Sequence, residues 1–139
     1  EEYGLVLNGI QQILDSGYQY SDIAISARTR NGAKDFRTVL HNNNIPYYDF
    51  ISGTPSGSTE GVRILTFHNT KGLEFKAIFL VDVNERTFPF LPNSYQQWEK
   101  QKQEEYLKSE KSLLYVAMSR AVHWLSVSGV GNKAGIEVG

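Results

Sequence analysis

At 139 residues, 40% hydrophobic and 21% charged, the chain has the size and composition of one ordinary globular domain with a real core. Its longest apolar stretch, residues 77–81, is far too short to cross a bilayer, and the lack of cysteine excludes disulfide scaffolds and thiolate metal sites. Fourteen Lys and Arg against 15 Asp and Glu leave no basic excess, so contact with nucleic acid is expected to be local and shared with surfaces elsewhere.

No basic segment followed by an apolar core opens the chain, and residue 1 is Glu rather than Met, inside what reads as a helix. A piece of a longer protein is therefore expected; the expected setting is intracellular, which the lack of cysteine fits, bacterial, and without membrane association. Residues 3–16 place Leu7, Ile10, Ile13 and Leu14 at helical spacing, with Gly17 as the stop. Residues 23–27 are a short β-branched run, read as a buried strand that ends in the polar cluster 28–31. A second helix is expected over 33–40, with Phe36, Val39 and Leu40 on one face and the Asn42–Asn44 tract ending it. Residues 46–51 read as a shorter strand.

The stretch 52–61, SGTPSGSTEG, is a loop or short linker. Strands are expected over 62–67 and 76–83, joined by a turn that carries His68, Lys71 and Glu74. Residues 84–93 contain two prolines and read as irregular. Ser94 is the expected N-cap of a long helix over 95–121, with Leu107, Leu114, Met118 and Ala121 on one stripe. A last strand over 123–128 and a frayed Gly-rich tail over 129–139 complete the chain. Alternating helices and strands, several of them continuous apolar runs, indicate an α/β domain whose mostly parallel sheet is covered on both faces. Ligands of such sheets bind outside the carboxyl ends of the strands. There the sequence delivers Arg28, then His68 and Lys71, then Asn84, Glu85 and Arg86, a polarity suited to an anion.

The segments VRILTFHNTKGLEFKAIFLVDVNERTFP and SLLYVAMSRA resemble motifs V and VI of UvrD/Rep-type superfamily 1 DNA helicases, and DIAISARTR is similar to motif IV. The resemblance covers residues 7–127 with the motifs in family order. It implies a RecA-like, P-loop NTPase-type three-layer domain over 1–139, the C-terminal motor half of an ATP-dependent DNA helicase, with roles in DNA repair. ATP with Mg2+ would be held mainly by an N-terminal RecA-like domain of the same protein, since no G-x-x-x-x-G-K-[ST] occurs here. This chain alone is expected to be inactive. By the same resemblance Arg120 is similar to the arginine finger and Arg28 to a second arginine that reaches the γ-phosphate. Glu74 is similar to a ribose contact and Gly72 to a glycine that admits the nucleotide. Lys71 sits between two roles and is counted with the nucleotide. Thr66 and His68 match positions near single-stranded DNA.

Plainer readings stand beside these. A cation at a helix C-terminus gains about 0.3–1 kcal/mol from the macrodipole, which alone would explain Arg120 in the last turn of the long helix. Arg28 reads equally as a solvated strand-end residue, and His68 as a structural histidine. Glu74 pairing with Lys71 or Lys76 would contribute about 0–1 kcal/mol. Tyr115 reads as core, and Glu104, Glu105 and Glu110 as the wet face of the long helix. Departures from the family are Ala27, where an aromatic often stacks on a base, Ser119 for Thr, Lys111 and Ser112 for two arginines, and a loop at 52–61 where relatives often insert a subdomain. A non-catalytic DNA- or protein-docking module is the alternative reading. A flavodoxin-like or receiver-like domain fits the strands but leaves the motifs unexplained.

Overall fold

The computed structural model describes residues 2–52, 54–84 and 88–129. In chain order the elements are α1 (Glu2–Asp15), β1 (Ile23–Ala27), α2 (Arg30–Asn42), β2 (Tyr47–Asp49), β3 (Ser56–Gly57), β4 (Val62–Thr66), β5 (Phe75–Val81), α3 (Lys100–Met118) and β6 (Ala121–Val127). They build one six-stranded sheet in the order β3-β2-β4-β1-β5-β6, parallel except for the β2–β3 pair.

Alternation along the central strands explains their unbroken apolar runs. Ile23, Ile25 and Ala27 of β1 face α1 and α2, joined by Val6, Ile10, Ile13, Phe36 and Leu40. Ala24, with Leu65, Ile78 and Leu80 of its neighbours, faces α3 through Leu114 and Ala117. Both faces of β1 are therefore buried, as a covered parallel sheet requires. The three-layer α/β expectation matches this architecture.

Boundaries differ where capping chemistry decides them. Thr29 caps α2, its hydroxyl accepting the Gly32 N–H at 3.1 Å, so the helix expected from residue 33 starts at Arg30, within the polar cluster. The Gly17 stop and the Asn tract behave as expected, with φ of +97° at Gly17 and +57° at Asn44. The 52–61 segment is more than a linker: Ser56–Gly57 pairs antiparallel with β2 and supplies the sheet edge. β4 stops at Thr66, and residues 67–70 form a 3-10 turn.

The long helix is shorter than expected at both ends. Tyr95–Gln97 is a separate 3-10 turn, Ser94 makes no side-chain cap, and Trp98 and Glu99 are extended. Packing of Trp98 against Tyr95 and Tyr106, at ring separations of 5.5 and 5.4 Å, favours that break over helical propensity. At the other end Ala121 opens β6 instead of closing α3. β6 is an edge strand with Val122, Trp124 and Leu125 exposed, unlike the central strands. The tail expected to fray lies, from residue 130 on, outside the described residues.

Candidate functional site

The sequence-derived site residues fall at two edges of the sheet. Ala27 of β1 stands beside Thr66 of β4 and Val81 of β5, so Arg28, Thr66 and His68 lie at the carboxyl edge. The chain then crosses back: Phe75, the first residue of β5, pairs with Ala121, and its N–H donates to the Arg120 carbonyl at 2.9 Å. Gly72, Glu74 and Arg120 thus belong to the amino edge, about 20 Å away along a seven-residue strand.

At the carboxyl edge the fixed point is Glu110, which is 3% exposed. Its carboxylate accepts from Arg28 Nε at 3.0 and 3.1 Å, from Arg28 Nη2 at 2.9 Å, and from the Phe90 backbone N–H at 2.7 Å. The Arg28 guanidinium also lies over the Phe90 ring, 5.0 Å from its centroid. Three distant segments are tied together by one carboxylate. Glu110 is therefore not part of the wet helix face, although Glu104 and Glu105 are exposed as expected. Sequence reasoning missed it because an acidic residue among Glu, Lys and Ser on a long helix carries no local mark of burial. The available signal was its place on the Leu114 side of the helix, one turn before that core residue. Tyr115 is 50% exposed rather than core.

Arg28, Thr29, Arg30, Thr66, His68 and Phe90 are among the residues lining a pocket of about 340 Å³. Thr66 and Asn69 cap each other across the 3-10 turn. The Asn69 side-chain oxygen accepts from the Thr66 N–H at 3.0 Å and from its hydroxyl at 2.9 Å. His68, exposed at the rim of this pocket, has its pKa lowered, first by partial burial and then by the Arg28 charge, against an upward pull from Glu110. Asn84 is buried three residues beyond β5, and Glu85 and Arg86, expected at this edge, lie outside the described residues.

The crossing itself is a type II turn. The Leu73 N–H donates to the Thr70 carbonyl at 3.0 Å, Lys71 has φ −58° and ψ 125°, and Gly72 has φ +80°. Glycine is required there by the backbone angle, since nothing lies within 4 Å of where a Cβ would stand. Lys71, Gly72 and Glu74 are exposed, and among the described residues neither charged one forms an ion pair, so Glu74 does not pair with Lys71 or Lys76. Arg120 follows the Ser119 C-cap instead of occupying the last turn of α3, and its buried Nε has no hydrogen-bond partner.

A family model for the UvrD-like helicase C-terminal domain matches residues 51–131. A probable DNA helicase of Mycoplasma pneumoniae is 30% identical over 118 residues, 84% of this chain and 19% of its own length. DNA helicase II of Haemophilus influenzae is 37% identical over 67 residues, covering 48% of this chain and 8% of that protein. The PcrA ATP-dependent DNA helicase of Staphylococcus epidermidis is 31% identical over 73 residues, covering 52% and 9%. This chain therefore spans less than a fifth of the length of these relatives. In fold it is similar to the crystal structure of the C-terminal domain of a possible DNA helicase from Lactobacillus plantarum, with a TM-score of 0.65 and 19% identity over 96% of this chain and 70% of that one.

Proposed function

Because the chain belongs to the UvrD-like helicase C-terminal domain family, we propose that it is the second RecA-like half of an ATP-dependent DNA helicase or translocase in the bacterial cytoplasm. The observation that carries this reading is the course of residues 66–74. One short segment starts beside Arg28 at the carboxyl edge and ends, through Phe75, against Arg120 at the amino edge. Such a segment is suited to linking two ligands. Thr66 and His68 would face single-stranded DNA, and Gly72, Glu74 and Lys71 the nucleotide.

ATP would be held mainly by a first RecA-like domain elsewhere in the same polypeptide. Mg2+ would accompany the nucleotide on that domain, as the family resemblance implies. The residues here fit the nucleotide itself better than its metal. Arg120 is a permanently charged fork without a partner at Nε. Placed on the γ-phosphate, it would spread the charge that develops on phosphoryl transfer. Glu74, at the same edge, would accept from the ribose, whereas Arg28, about 20 Å away at the carboxyl edge, does not reach the same phosphate and would lie on the DNA side.

In the complete protein, Arg120→Ala is expected to lower ATP turnover by about 10³-fold or more while nucleotide binding persists. An unchanged kcat would overturn the finger assignment. The 139-residue chain alone is expected neither to hydrolyse ATP nor to unwind DNA, and steady turnover by it would sink the two-domain reading. The three bonds that commit Arg28 to Glu110 favour a second reading, a non-catalytic docking module in which Arg28 is purely structural. A Walker A loop and a Walker B acidic pair elsewhere in the polypeptide would decide for the motor.

A further inference from the structure

Phe90 stands on a loop, yet it is held as firmly as a core residue. Its neighbour Phe88 is buried, whereas Phe90 is 40% exposed. Both backbone polar groups of Phe90 are pinned by α3: the N–H donates to Glu110 at 2.7 Å, and the carbonyl accepts from the Tyr106 hydroxyl, one helical turn away. One ring face is covered by the Arg28 guanidinium, which Glu110 fixes in turn. Burial alone does not explain such support, because the residue stays partly exposed. Tyr106 shares this environment, with its pKa raised by burial and by the Glu110 charge.

We propose that Phe90 is a stacking platform for one base of a single DNA strand crossing the carboxyl edge. The inference rests on the DNA reading of that edge given above and adds a base contact to it. The pocket beside the ring is lined by Arg28, Arg30 and His68, groups suited to a sugar–phosphate backbone, and by the Thr66–Asn69 cap. Grooves for single strands combine cations that track the backbone with rings on which bases stack, at about 1–3 kcal/mol per base. Ala27, which precedes Arg28, offers no ring, so Phe90, on the segment that follows the neighbouring strand β5, would supply what β1 does not. A cation already seated on one ring face orients the other towards the strand.

The test compares a dT oligonucleotide with an abasic deoxyribose-phosphate strand of equal length, by fluorescence anisotropy at fixed salt, using the complete protein that carries this domain. Wild type is expected to prefer dT. Phe90→Ala should lower the dT-to-abasic affinity ratio by about 5- to 100-fold and leave both abasic affinity and salt slope unchanged. Phe90→Leu, which keeps the apolar cover over Arg28 and the backbone bonds, should lose the ratio while unfolding like wild type. Phe90→Trp should retain the ratio, with its emission quenched by dT and not by the abasic strand. Equal loss of both strands in Phe90→Ala would mean that the ring only steadies Arg28 and would overturn stacking. So would an unchanged ratio, or a Leu variant that binds dT as wild type does. A wild-type protein that binds neither strand would remove the DNA reading of this edge, and stacking with it.

Discussion

At the carboxyl edge of the sheet the polar groups have already found one another; at the amino edge they have not. Arg28, Glu110, Phe90 and Tyr106 form a closed set of contacts, and Thr66 is capped by Asn69. Lys71 and Glu74 stand exposed without ion pairs, and Arg120 keeps a buried nitrogen unbonded. A prebuilt edge can present a surface to a flexible strand at little ordering cost. On the reading proposed above, the exposed charges of the amino edge would suit a rigid partner that brings the complementary groups.

The largest expected effect would break the prebuilt edge. Glu110→Ala leaves the Arg28 charge partly buried, at 13% side-chain exposure, and orphans the Phe90 N–H. Removing one partner of a buried pair costs about 3–5 kcal/mol. Urea unfolding should show most of that loss for Glu110→Ala, and the Arg28→Ala/Glu110→Ala double mutant should recover part of it. A loss below about 1 kcal/mol, the scale of an exposed pair, would mean that the carboxyl edge is no more organised than the amino one.

Next in size is Gly72→Ala. An alanine at φ +80° pays about 1–2 kcal/mol in backbone strain, with no neighbour close enough to add a clash. The cost should appear in unfolding without any change at the other edge, reported by the titration of His68. A variant as stable as wild type would show that the type II turn is not held by its backbone angle.

The carboxyl edge and the amino edge were not equally legible in the sequence. β1 and the Gly17 stop were readable because each rests on a local rule, a β-branched run and a left-handed angle, whereas the motif residues were named through a family resemblance and not from periodicity. The partnership of Arg28 with Glu110 joins residues 82 apart, and no periodicity encodes which of several helix carboxylates turns inward. The α3 start misled for a similar reason. Ser94 is a good cap by composition, but a cluster of three rings formed by residues in contact only after folding decided the boundary. The fall of the site residues at two edges follows from the parallel pairing of β4, β1 and β5, which sequence periodicity does not order.

A smaller effect sharpens the electrostatic side of the comparison. His68 has its pKa below the ordinary 6.5, so the unfolded chain takes up its proton before the folded chain does. Stability from this group is therefore complete above 6.5 and is lost as pH falls through the lower folded value. Burial lowers it first and Arg28 second, so Arg28→Gln should raise the NMR midpoint of the His68 ring, and Glu110→Gln should lower it further. A midpoint at 6.5 that ignores both substitutions would detach His68 from the cluster.

The smallest effect on stability, and the sharpest contrast with Glu110, is expected for Glu74→Gln. Both residues are glutamates in the same fold, but Glu74 is exposed and bonded to nothing among the described residues. Its neutralisation should change unfolding by no more than about 0.5 kcal/mol. If Glu74 serves the nucleotide, the same substitution in the complete protein should weaken ATP binding with the DNA affinity intact. Destabilisation comparable to Glu110→Ala would show an internal partner at the amino edge and remove the distinction between the two edges. Unchanged ATP affinity would leave that distinction standing but take Glu74 out of the nucleotide site. On this comparison stability is expected to respond to Glu110 and nucleotide binding to Glu74.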